Sequence, residues 1–203
     1  MKRLLLIILG YCIISCSPSA LTETELKQYI LEPSNNLMQE ETINDVNVRV
    51  TYRPTDLLVS QELTNATDTA HISSLRAKYN KYYYFVLSLS KNQREAIQAS
   101  TMPQAQFSEL LQTISFRMGA YVNMTTNARD TIPLADYVYN RTFGMGSSND
   151  LLLVFNKEQA KSANWLQINL AEFGLGVGRQ ALRFNRKELD EVSEIDFTKN
   201  IQL

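Results

Sequence analysis

The strongest strand pattern of the chain is Val46-Asn47-Val48-Arg49-Val50-Thr51-Tyr52-Arg53, in which apolar and polar side chains alternate without interruption. Because successive side chains of a strand point to opposite faces, the alternation places Val46, Val48, Val50 and Tyr52 on one buried face. Pro54 closes this strand, and Thr55-Asp56 is expected to cap a helix that carries Leu57, Leu58 and Leu63.

Further elements are predicted on both sides of this strand. Thr22 and Glu25 have the spacing of a capping box, which predicts a helix that Pro33 ends. Helices are predicted at 69–79 and 103–117, and strands at 82–90, 119–125, 136–143, 150–155, 165–172 and 181–185. Because the later strands follow one another closely, they are expected to form an antiparallel meander. The sequence therefore predicts a single α+β domain with a largely antiparallel sheet of about six or seven strands and several packed helices.

The amino terminus has the three parts of a signal peptide. Lys2 and Arg3 precede an apolar stretch, Leu4 to Ile14, that is shorter than the ~20 residues a membrane-spanning helix needs. The following Ile13-Ile14-Ser15-Cys16 resembles the lipobox of bacterial lipoproteins. The resemblance implies cleavage by signal peptidase II before Cys16 and attachment of fatty acyl chains such as palmitate to Cys16. The alternatives are an ordinary secretory signal cut near Ala20 and a short uncleaved anchor.

This interpretation divides the chain into a signal peptide at 1–15, the lipidated Cys16 with a flexible tether at 16–23, and a globular domain at 24–203. Cys12 and Cys16 are the two cysteines, so the domain contains no thiol and no disulfide. The expected location is the bacterial cell envelope. Ser17 stands where lipoproteins retained at the inner membrane often carry Asp, which favours the outer membrane if the cell is Gram-negative.

Composition limits the classes of function. The formal net charge is −1 and the charges are scattered, so the sequence has no basic patch for nucleic acid. The single histidine, His71, lies in a polar stretch without metal-ligand spacing and is interpreted as a surface residue. No metal site, cofactor site or catalytic residue is predicted. Among the acids, Asp56, Asp136 and Glu172 lie near predicted strands, where a facing pair could hydrolyse glycosides, although solvated surface carboxylates are the favoured interpretation.

Two segments of the chain are similar to each other. Phe143-Gly144-Met145-Gly146 leads to Phe155-Asn156, and Phe173-Gly174-Leu175-Gly176 leads to Phe184-Asn185. Each copy lies between predicted strands, as expected if one hairpin design occurs twice. Either duplication or shared turn chemistry explains the similarity, because glycine supplies the positive φ that tight turns need. Gly174-x-Gly176-x-Gly178 has neither the spacing nor the following helix of a nucleotide-binding turn and is interpreted as a hairpin turn.

Tyrosines and threonines suggest two further roles. Tyr82-Tyr83-Tyr84-Phe85, with Tyr137 and Tyr139, could form a stacking platform, although alternation favours core packing on one face and half-exposed rings on the other. Asp68-Thr69-Ala70 and Asp130-Thr131-Ile132 resemble the short sites at which Bacteroidota O-glycosylate exported proteins. The Asn-x-Thr sequences at residues 65, 123 and 140 are eukaryotic acceptors, expected to be silent in a bacterium.

Three functions are compatible with these features. The favoured one is a non-enzymatic binding or assembly component of the envelope, held at a membrane by lipidated Cys16, with an envelope protein or glycan as partner. The second is a hydrolase of envelope polysaccharide that uses carboxylates. The third is a carrier of lipid or another small ligand, which needs an apolar cavity.

Overall fold

The computed structural model describes residues 20–64 and 68–199. The helices are α1 (Glu23–Leu31), α2 (Thr55–Glu62), α3 (Thr69–Tyr79), α4 (Ala96–Ala99), α5 (Gln104–Phe116) and α6 (Arg186–Asp190). The strands are β1 (Met38–Ile43), β2 (Val46–Tyr52), β3 (Tyr82–Lys91), β4 (Arg94–Glu95), β5 (Val122–Thr126), β6 (Thr131–Pro133), β7 (Asp136–Tyr139), β8 (Asn149–Asn156), β9 (Trp165–Leu170) and β10 (Gln180–Asn185). The predicted signal peptide and Cys16 lie outside the described residues.

The strands form two sheets in which every pairing is antiparallel. The first has the order β1-β2-β3-β8-β7, with β4 paired to the end of β3, and the second has the order β10-β9-β5-β6. Side chains from both sheets and from the helices share one apolar core, which includes Val48 of β2, Phe85 of β3 and Phe184 of β10. The predicted α+β class with antiparallel pairing is confirmed.

Local patterns correctly located several elements. The apolar residues of β2 are buried and the polar ones are half-buried, as the alternation predicted. Thr22 caps α1 in a complete capping box: its side chain accepts a hydrogen bond from Glu25 N, and the Glu25 side chain accepts one from Thr22 N. Phe85, Leu87 and Leu89 of β3 are buried as predicted.

The structure differs from the expectations in three places. Residues 38–43 form β1, a strand that was not predicted, and the tight turn Asn44-Asp45 joins it to β2. The strands after residue 119 do not form one meander, because β7 and β8 join the first sheet whereas β5, β6, β9 and β10 form the second. Asp56 does not cap α2, which has Pro54 at its N-cap without a side-chain bond.

The two ends of the molecule carry different parts of the chain. We call the end at which β2 ends and β3 begins the terminal end. There, Leu21 N donates a hydrogen bond to Glu194 O and Leu21 O accepts one from Asp196 N, so both ends of the described chain meet. At the loop end lie the Asn44-Asp45 turn and the loops 140–148 and 171–179. The 10 residues of β3 run from one end to the other, a distance of about 30 Å. Within the described ranges, no helix is long and apolar enough to cross a membrane.

Candidate functional site

The 140–148 loop at the loop end closes around one buried carboxylate. The turn Asn92-Gln93, whose residues both have positive φ, folds β4 back along β3 and places Glu95 under the loop. Glu95 is fully buried, and its Oε1 accepts hydrogen bonds from Gly144 N at 2.7 Å, Gly146 N at 3.0 Å and Thr142 Oγ1 at 2.6 Å. Successive backbone N–H groups that converge on one oxygen form an anion-binding nest. Here the protein supplies the anion.

Asn149 fixes Glu95 from the other side. Its Nδ2 donates to Glu95 Oε2 at 3.0 Å and to the Tyr139 hydroxyl at 3.1 Å, while its Oδ1 accepts from Ile97 N at 3.0 Å. Asn149 is itself buried. Because both oxygens of Glu95 and both ends of the Asn149 amide are engaged, the loop backbone has little freedom to move.

This held loop presents two apolar side chains to solvent. Phe143 is 67% exposed and Met145 is 85% exposed. Phe143 adopts a φ of 55°, a left-handed conformation that is strained for a bulky residue and that persists only where the surroundings impose it. The guanidinium of Arg141 lies 4.5 Å from the centre of the Phe143 ring. A rigid loop with exposed apolar tips suits binding rather than bond-breaking chemistry.

The 171–179 loop also closes around a carboxylate, but it buries its apolar side chains instead of exposing them. Glu172 accepts hydrogen bonds from the backbone N–H groups of Gly174 at 2.7 Å, Gly176 at 2.9 Å and Gly178. Burial raises the pKa of Glu172, but the backbone N–H groups of Gly176, Gly174, Gly178 and Leu175 together outweigh it, so that its pKa lies below the ordinary value. Phe173 and Leu175 of this loop are buried in the core. The loop therefore anchors the second sheet and leaves no apolar tip outside.

The two similar segments are both hairpin loops, as predicted. β7 pairs with β8 and β9 pairs with β10, each around one glycine loop. Their backbones differ, because Phe143 has positive φ and Phe173 does not, whereas Gly176 has positive φ and Gly146 does not. The carboxylate also comes from β4 in one loop and from the loop itself in the other. Of the two explanations, these differences favour shared turn chemistry over duplication.

A charged cleft of about 320 Å³ lies at the terminal end. Arg76 donates from Nε and Nη2 to both oxygens of buried Asp56, at 2.8 and 2.6 Å, and its Nη1 lies 2.9 Å from Glu194. Asp56 also accepts from Ile195 N at 2.6 Å. These charged groups bind one another and the backbone of Ile195, so they hold the carboxyl-terminal segment against α2 and α3.

The acids considered as catalysts do not lie together. Asp56 is at the terminal end, Glu172 is at the loop end, and Asp136 is exposed at the start of β7, where it accepts from the neighbouring Tyr137 N. His71 is an exposed residue in the first turn of α3, as predicted. Within residues 20–64 and 68–199, no three His, Cys, Asp or Glu side chains are grouped so as to hold a metal ion.

The tyrosine run forms no stacking platform. Tyr83, Tyr84 and Phe85 are buried, and the rings of Tyr82 and Tyr84 meet at 63° rather than in one plane. At the suggested glycosylation sites, the Asp68 side chain caps α3, and Thr69 and Thr131 are exposed. Modification of Thr69 or Thr131 stays a prediction, and Asn65 lies outside the described residues.

Glu95, Phe143 and Met145 were not predicted from the sequence to be functional residues. Glu95 lies in a polar turn whose amino-acid composition is typical of a surface loop. The sequence feature that could have indicated this site is the repeated Phe-Gly-x-Gly. Two alternating glycines leave several backbone N–H groups unpaired, and these can donate hydrogen bonds to a nearby carboxylate.

Comparison with known proteins adds little to this geometry. No family model matches the chain, and no curated protein matches it. One solved structure that does match is that of a Burkholderia pseudomallei protein of unknown function, which is 10% identical and covers 86% of this chain and 94% of its own, with a TM-score of 0.38. A likeness this distant carries no argument about function.

Proposed function

We propose that this chain is a lipid-anchored protein of the bacterial envelope that binds a partner protein through Phe143 and Met145. The anchor is Cys16, on the strength of Ile13-Ile14-Ser15-Cys16 alone, and Ser17 favours the outer membrane in a Gram-negative cell. Two or three acyl chains on Cys16 hold a protein firmly at a membrane, whereas one chain binds only marginally.

The observation that carries the proposal is the exposure of Phe143 and Met145 on a loop that buried Glu95 holds rigid. Exposed apolar side chains cost solubility, and a positive φ at a phenylalanine costs about 1–3 kcal/mol. A preorganised loop repays these costs on binding, because little conformational entropy is then lost when a partner packs on it. Aromatic and methionine side chains are enriched in protein interfaces.

The position of the loop indicates a protein partner rather than the lipid bilayer. Five peptide steps separate Cys16 from Leu21, which span at most about 18 Å whatever their conformation. Leu21 is at the terminal end, so that end lies near the membrane to which Cys16 is attached. The tips of the loop are at the other end, about 30 Å farther along β3.

The test compares complexes recovered from solubilised membranes after chemical crosslinking in the cells that make the protein. The wild type is expected to run as a discrete larger complex, which the double variant Phe143→Ser/Met145→Ser loses. Phe116 is 81% exposed at the end of α5, so Phe116→Ser is the matched control and should keep the complex. Recovery of the wild type as a lone monomer, or equal loss with Phe116→Ser, would contradict the proposal.

A further inference from the structure

A second surface, separate from the apolar loop, surrounds the start of β9. It is an open cleft of about 490 Å³ at the terminal end. Four of its lining residues carry carboxamide side chains, and the others include one indole and one guanidinium: Asn36, Gln39, Asn164, Asn185, Trp165 and Arg183. Carboxamides thus make up four of the seven lining residues, and Glu188 completes the lining.

We infer that this Trp165 cleft binds a neutral oligosaccharide. A carboxamide offers an acceptor oxygen and two donor hydrogens in one plane, which suits the adjacent hydroxyl groups of a sugar, themselves donors and acceptors. An indole has an apolar face with a polar N–H, which suits the C–H face of a pyranose ring. Arg183 and Glu188, which also lines the cleft, carry opposite charges, so the cleft attracts neither polyanions nor polycations.

The indole is held in place before any ligand arrives. The guanidinium of Arg183 lies 4.1 Å from the centre of the Trp165 ring, and its Nη2 donates to Gln167 Oε1 at 3.0 Å. Arg183 therefore covers one face of the half-exposed ring, and Trp165 also lines the cleft. Preorganisation of this kind lowers the entropy lost on binding.

The polar surface continues from the cleft along the outer face of the second sheet. Gln167 Nε2 donates to Asn169 Oδ1 at 2.7 Å, and Asn169 Nδ2 donates to Asn123 Oδ1 at 2.9 Å. These residues alternate with buried ones on β9 and β5, so their amides form a row that starts beside Trp165. The ligand is therefore expected to be a chain of several sugars.

Two amides in the cleft are available to such a ligand. Counting only partners within 20–64 and 68–199, the side chains of Gln39 and Asn164 make no hydrogen bond, and Asn164 is exposed. Their substitution should weaken binding without breaking a contact that holds the fold. Asn185 is less suitable for substitution because its Oδ1 caps α6.

The test uses tryptophan fluorescence, since Trp165 is the only tryptophan of the chain. The full chain in detergent is titrated with N-acetylglucosamine tetramer, maltohexaose and an anionic oligogalacturonate, and a labelled sample is applied to an array of neutral and anionic glycans. A saturable fluorescence change with a neutral oligosaccharide is expected, at least tenfold tighter than with its monomer and absent with the oligogalacturonate. Gln39→Ala and Asn164→Ala should each weaken binding about tenfold.

Gln106→Ala, at an exposed amide of α5, is the control and should bind like the wild type. Urea unfolding of each variant shows whether the fold is intact. The inference is overturned if no neutral glycan binds in solution or on the array, or if Gln39→Ala and Asn164→Ala bind as tightly as Gln106→Ala. Because Phe143→Ser/Met145→Ser leaves this cleft unchanged, failure here and failure of the protein-partner proposal are separate results.

Discussion

Replacing Glu95 with Gln is expected to destabilise the protein far more than the same change at Glu172. Glu95 accepts three hydrogen bonds at Oε1 and one at Oε2. A Gln side chain keeps one acceptor oxygen and turns the other atom into a donor. If the amide oxygen stays under the loop, the new NH₂ group faces Asn149 Nδ2, which is also a donor. Asn149 cannot turn over without losing its bond from Ile97 N.

The expected loss follows from these contacts. One buried donor without an acceptor costs about 1–3 kcal/mol. The three bonds under the loop also lose their charge assistance, which makes such bonds roughly twice as strong as neutral ones. We therefore expect Glu95→Gln to lower the free energy of unfolding by about 2–4 kcal/mol. With a urea dependence of about 2 kcal/mol per M, the unfolding midpoint falls by about 1–2 M.

The measurement is urea unfolding at pH 7, followed by far-UV circular dichroism, for wild type and both variants. The Glu172 loop is open to water, which can replace the lost contacts, so Glu172→Gln should cost under about 1 kcal/mol. Equal midpoints for Glu95→Gln and wild type, or a larger loss with Glu172→Gln, would refute the claim that Glu95 holds the loop.

Three further predictions follow from single contacts. The pKa of Glu172 lies below its ordinary value, so its stabilising contribution is present above that ordinary value and is lost as the pH falls through the folded pKa. The difference in unfolding midpoint between Glu172→Gln and wild type should therefore be largest near neutral pH and shrink as the pH is lowered, and a constant difference would contradict this. Asp56→Ala should cost about 2–4 kcal/mol, because Arg76 loses its paired bonds to a buried carboxylate and keeps only exposed Glu194, while Ile195 N loses its acceptor. Hydrogen exchange of Ile195 N should therefore rise, and unchanged exchange would contradict the claim that Asp56 holds the carboxyl-terminal segment. Cys16→Ser should abolish labelling by radioactive palmitate and either release the protein from the membrane fraction or leave its signal peptide uncleaved, whereas unchanged labelling would contradict lipidation of Cys16.

The sequence predicted elements well where one local pattern dominated. In β2, the apolar residues lie on one face of the sheet and the polar residues on the other. In α1, the capping box depends only on Thr22 and on Glu25 three residues later. β1 was missed because Met38-Gln39-Glu40-Glu41-Thr42-Ile43 lies at the edge of the sheet, where no residue of the strand is fully buried and no apolar alternation is required.

Contacts between residues that lie far apart along the chain could not be predicted from the sequence. Glu95 and the Gly144–Gly146 backbone are about 50 residues apart, and only the pairing of β3 with both β4 and β8 brings them together. Asp56 was expected to cap a helix because its local sequence suits one, but Arg76 and Ile195 offer stronger partners from elsewhere in the chain. Trp165 and its amides likewise come from three separate stretches.

Site-specific photocrosslinking from Met145 in intact cells reports directly what touches the loop when the protein is at its proposed place on the membrane. A photoreactive amino acid at position 145 should give one discrete protein adduct, and the same amino acid at position 116 should give none. Combining the probe with Glu95→Gln should weaken the adduct without unfolding the domain. Adducts formed with lipid, or of equal strength from positions 145 and 116, would contradict a rigid loop that binds a protein partner away from the membrane.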